Sequence, residues 1–227
     1  MQGDMMLTLA YRPFFQRIKS VPWSGFFILW SVLSMATVWF YQDHFTTRQT
    51  VEELLGEQFS PVYIDLIFAR IQDITYWTLL CIPFFILVRM TLMALLIHLF
   101  FMLTQVWISF KGVFHAIVPA FGFLILRDVS KFIPMSGMDV PGDKAGEILR
   151  VPLALSAVVS VDAYPVLNKL LNAFNCFEGL WLVWVLLTLA AWTGFKIKKI
   201  FFPLLTARIL GIVLMWGIGV FYEIYML

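Results

Sequence analysis

Two arginines, one acid and three asparagines are the residues of this 227-residue chain whose types and positions suit chemistry. Arg89 and Arg208 each interrupt a long apolar run, IPFFILVRMTLMALLIHLFF and FFPLLTARILGIVLMWGIG. A charge near the bilayer centre costs roughly 2.5 to 3.5 kcal/mol on insertion scales, so each arginine calls for a partner or a pathway. Counted inward at about 1.5 Å per residue, both fall at comparable depth, in the middle to inner half of the bilayer. One reading is a shared site for an anionic group, either a lipid headgroup or a carboxylate on another subunit. The other is that each guanidinium snorkels to the cytoplasmic interface along its aliphatic stem.

The second constellation is NKLLNAFNCFEGLW, residues 168–181. Asn175 is placed to cap the helix that follows, and Glu178, three residues on, completes a capping box and suits the positive helix N-terminus. Both are therefore read as structural residues of a helix start. Asn168, Asn172 and Asn175 are four and three apart, which puts them on one helix face. Asn168 and Asn172 are left as a contact surface for another chain or a headgroup.

No nucleophile with its base, metal-ligand cluster or phosphate loop is found. His44, His98 and His115 stand apart from Cys, Asp or Glu at ligand spacing, and His98 and His115 read as ordinary interfacial histidines. The expectation is no catalytic residue, no metal, no cofactor and no enzyme activity. Cys81 and Cys176 both lie in apolar surroundings, which argues against a structural disulfide.

The elements that position these residues follow from composition. The chain is 61% hydrophobic and 13% charged, against about 25% charged residues in a soluble domain, which reads as an integral membrane protein. A span needs about 20 apolar residues. The runs predict an all-α, polytopic bundle of five transmembrane helices in one domain, 1–227, with spans about 21–41, 76–104, 113–130, 176–194 and 201–222. Residues 42–74 and 131–175 are expected as loops, the first holding a short amphipathic helix around 50–72. The second span is expected to kink near Pro83. VPLALSAVVSV, within 148–161, is too short to cross and reads as interfacial or partly embedded. Tryptophans flank the spans as interface anchors.

Arg12, Arg17 and Lys19 precede the first span, and Lys196, Lys198 and Lys199 fill the turn before the last. With five spans these groups share a side, which the positive-inside rule makes cytoplasmic. The N-terminus is then inside, the C-terminus outside, and residues 42–74 and 131–175 are outer loops. Of the 14 acids, only Asp4 falls on the inner side. A formal charge of +2 and the lack of a basic tail exclude nucleic acid as a partner. MQGDMMLTLAYRPFFQRIKS lacks the pattern of a removable signal peptide, so the first span is expected to be the insertion signal.

The order of features resembles the bacterial branch of the Yip1 family of five-span membrane proteins. YRPFFQRIKSVPW is similar to that family's Pro-x-x-x-Phe-x-x-Ile approach to its first span. LLIHLFFMLTQVWISFKGVFHAIVPAFGFLI resembles its long second span, SFK-type turn and proline-bearing third span. LNAFNCFEGLWLVWVLLTLAAWTGFKIKKIFFPLLTARIL resembles its fourth span and basic turn. The double glycine frequent before the family's SFK turn is absent from TQVWISFK, and Arg89 interrupts the second span. The resemblance implies a non-enzymatic, multi-pass protein of the bacterial inner membrane. Two functions are carried forward. One is an accessory or scaffold subunit that contacts the lipid bilayer and other membrane protein subunits, for example of export or transport machinery. The other is a small oligomeric transporter or lipid-handling protein with an anion or headgroup pathway near Arg89 and Arg208.

Overall fold

A computed structural model of the chain describes residues 13–55, 59–131, 154–157 and 165–226. Every regular element among them is helical, and five helices are long and apolar enough to cross a membrane. After a helical stretch at 13–20 come α1 (Trp23–Phe45), α2 (Arg48–Leu55), α3 (Pro61–Leu103), α4 (Phe110–Ser130), a single 3-10 turn (Leu155–Ala157), α5 (Pro165–Ala173), α6 (Cys176–Thr193) and α7 (Ile197–Met226). The expected bundle of five long apolar helices is present.

Its largest departure from expectation is α3. Acids such as Asp65 and Asp73 suggest a loop up to residue 74 with a short separate amphipathic helix around 50–72, yet one helix starts at Pro61 and runs 43 residues without a break through Pro83. Proline at the first helical position loses no intrahelical bond, and that start lies well outside the apolar run. The presumed loop 42–74 is therefore mostly helix: the end of α1, all of α2 and the first third of α3. Within 148–161, residues 154–157 form an isolated antiparallel bridge of Ala154 to Asn175 and the 3-10 turn; the rest of that stretch, and most of 131–164, lie outside the described residues.

Four helices, α3, α4, α6 and α7, close a ring in which each packs on the next, and α1 lies outside it against α3 and α4. Half of the apolar window of α4 is buried, against 6% of that of α1, so α4 is the central helix and α1 faces outward. The core runs along the inner faces of the ring, from Met90, Ile97 and Phe101 of α3 to Ile117 of α4, Trp181 and Leu189 of α6, and Leu204 of α7.

Close approach of α1 is set by Gly122. A Cβ there would lie 2.6 Å from Cη2 of Trp30, and only glycine leaves room for that indole. Trp30 Nε1 then donates to the carbonyl of Val118 at 2.9 Å.

Two turns end their helices on a residue in the left-handed region. After α6, Gly194 takes a left-handed φ of 73° and returns its N–H to Ala190. After α3 the left-handed position falls on Gln105, φ 56°. Its N–H bonds Met102 O and that of Val106 bonds Phe101 O at 2.8 Å, the pair of bonds of a Schellman motif, with buried Val106 against buried Phe101 as its hydrophobic contact.

Candidate functional site

The charged centre is built around the start of α6. Asn175 has extended backbone, and its Oδ1 accepts from the N–H of Glu178 at 3.1 Å, as expected of an N-cap. The capping box stops there, because the Glu178 carboxylate turns away to two arginines. Arg208 of α7 donates through Nε to Glu178 Oε2 at 2.8 Å and through Nη2 to the same oxygen. Arg127, at the end of α4, donates through Nη1 to Oε1 at 3.3 Å. Glu178 and Arg208 are both buried.

This corrects two expectations. Glu178 is the hub of an ion-pair network that joins α4, α6 and α7, and Arg208 has its counter-ion within the chain. The guanidinium of Arg208 reaches the first turn of α6, at the end of the bundle opposite the basic turn 194–196. Its Cζ also lies 4.4 Å from the ring centre of Trp181, in cation-π range, and its Nη1 is 3.7 Å from the sulfur of Met93 on α3. The network therefore touches all four helices of the ring.

Arg127 extends it outward. It makes a bidentate pair with Asp128 at 2.9 and 3.1 Å, and Lys131 reaches the same carboxylate at 3.1 Å. Arg89 is the cation left over. It makes no ion pair among the described residues; its Cζ lies 5.5 Å from the ring centre of Phe121. It lines one small void with Arg208, Met93 and Trp181, of about 10 Å³. Three arginines and Lys131 thus share two carboxylates, which leaves the cluster net positive. The void is no larger than a single water needs.

No family model, curated protein or solved structure matches the chain. What the site does must be read from its geometry. A buried carboxylate clamped by two guanidiniums from neighbouring helices ties α4, α6 and α7 together at this level.

The asparagine face is partly internal. Asn172 Oδ1 accepts from Ser156 Oγ at 2.6 Å, and Leu155 N–H donates to Phe174 O at 2.9 Å, so α5 is stitched to the 3-10 turn. Asn168 is half-buried on α5. Among the histidines, His115 Nδ1 donates to Lys111 O at 2.8 Å, and His98 Nδ1 is buried without a partner among the described residues. Cys81 and Cys176 are free thiols.

Arg127 and Asp128 are the members of the cluster that the sequence reading did not single out. A signal for the central pair exists. Glu178 and Arg208 flank the turn 194–196 on antiparallel helices, and folding the hairpin about that turn brings them within about one helical turn of each other.

Proposed function

We propose that this chain is a non-enzymatic, multi-pass membrane subunit that works by holding other membrane proteins. The observation that carries the reading is the length of α3. Its 43 residues extend about 65 Å, while the hydrocarbon core takes about 30 Å. The N-terminal part of α3 therefore projects from the bilayer as an arm. On it α2 packs against α3 with Val51 and Ile64 buried, and Arg48 bridges Glu52 and Asp65, each at 2.7 Å. The hydrogen bond to Asp65 pushes the pKa of the Arg48 guanidinium up from its ordinary value.

Val62 and Leu66, one turn apart on that arm, are 79% and 61% exposed. Apolar side chains paired on a braced helix outside the bilayer suit a protein contact. The spare charge of Arg89 suits an acidic group on a partner's helix. The cation-rich end of the bundle supports a cytoplasmic N-terminus and an inner-membrane location.

The test is affinity capture of the full-length chain from gently solubilised native membranes, with Val62→Asp/Leu66→Asp beside the parent. The reading expects the doubly substituted chain to accumulate normally and to lose its co-purifying membrane polypeptides. An unchanged partner set would contradict it.

A second reading, a small oligomeric transporter or lipid-handling protein, draws on Arg89 alone. The void of about 10 Å³ beside it weighs against a pathway through one copy. Anion or lipid flux in liposomes that Arg89→Leu abolishes would favour this reading over the first.

A further inference from the structure

A wide cleft lies at the other end of the bundle, far from Glu178. Its volume is about 470 Å³, within the usual range of small-ligand sites. It opens between the loop into α4 and the last turn of α6. Lys19, Lys111 and His115 line it together with Trp107, Trp192 and Thr193. Among the described residues this end carries Arg17, Lys19, Lys111, Lys196, Lys198 and Lys199 and no acid, so nothing fixed in the cleft neutralises its cations.

We propose that this cleft binds the phosphate of an anionic lipid headgroup. Lys19 and Lys111 supply the charge. The His115 Nδ1 proton is engaged by the Lys111 carbonyl, because a carbonyl can only accept; Nε2 is the ring nitrogen left for the ligand. Lys19 is steadied by Trp192, with Nζ 5.9 Å from the ring centre. Trp192 is in turn fixed by donating Nε1 to Phe15 O at 2.9 Å.

A lipid is favoured over free phosphate by the walls. Leu189 and Ile108 are apolar, and Trp107, 81% exposed, stands in the connection between α3 and α4, at a span boundary where tryptophan favours the headgroup level. Ser109 caps the start of α4 and Thr193 ends α6, so the cleft lies at the level where the apolar helices stop. This site is independent of the arm on α3.

The experiment is a titration of the delipidated full-length chain in detergent with short-chain phosphatidylglycerol, and with phosphatidylcholine of the same chain length, bound lipid being counted by native mass spectrometry. Lys19→Ala/Lys111→Ala is expected to weaken phosphatidylglycerol binding about 25-fold, roughly fivefold per lysine. Lys196→Ala/Lys198→Ala, which removes equal charge outside the cleft, is expected to leave it nearly unchanged. Equal losses in the two pairs would overturn the site in favour of a diffuse basic surface. Equal binding of the two lipids would overturn recognition of net negative charge. Millimolar inorganic phosphate that binds alone and displaces the lipid would overturn the lipid as occupant and assign the cleft to free phosphate.

Discussion

At the scale of single residues, Glu178 decides how the helix ring is locked. Removing one partner of a buried ion pair leaves an uncompensated charge and costs roughly 3 to 5 kcal/mol, whereas replacing both with apolar groups is often close to neutral. Glu178→Gln should therefore destabilise the bundle by about that amount in an SDS unfolding titration followed by circular dichroism. Glu178→Leu/Arg208→Met should recover most of the loss, because Arg127 keeps Asp128 as its counter-ion. A double variant as unstable as the single one would show that the pair is not the source of the effect. Asn175 was readable as a cap because capping is local, set within three residues. The partners of Glu178 were not, because they stand 30 and 51 positions away and depend on which helices become neighbours. Arg127 was overlooked because a cation near the end of a span has an ordinary interfacial explanation.

At the scale of elements, the turn after α3 carries local strain. A non-glycine residue in the left-handed region costs about 1 to 2 kcal/mol, and Gln105 occupies that region with φ 56°. Gln105→Gly should stabilise the protein by about 1 kcal/mol in the same titration, since glycine's greater freedom in the unfolded chain offsets part of the relief. A loss of stability would mean that the Gln105 side chain does more than fill the turn. The contact of α1 with α4 predicts the opposite sign. Gly122→Ala pushes a methyl into the Trp30 ring and threatens its bond to Val118, with an expected loss of about 1 to 3 kcal/mol and a shifted tryptophan emission; an unaltered spectrum and stability would argue against this packing. Element boundaries were legible where lipid-like runs end in turns, as at Gly194, and not at the start of α3. Hydropathy reports only the apolar part of a helix, and the arm that precedes it is polar on one side.

At the scale of the whole molecule, five apolar runs of sufficient length were enough to anticipate five long helices, because each is a local property of the chain. Their arrangement was not anticipated: a ring of α3, α4, α6 and α7 with α1 outside depends on Gly122, Gly211 and the Glu178 network, none of which hydropathy weighs. Gly211 is a milder case than Gly122, since a Cβ there would lie 3.0 Å from the methyl at the flexible end of Met93. Arg89 makes no ion pair among the described residues, and the outward position of α1 and the braced arm give the protein polar and apolar surfaces that those residues do not cover. The central claim is that other membrane proteins cover them. The direct measurement is the mass of the particle released from native membranes by a gentle detergent, with its polypeptides identified. The account predicts a particle well above the 26.3 kDa of one chain that contains at least one different membrane polypeptide; a lone monomer, or copies of this chain alone, would contradict it.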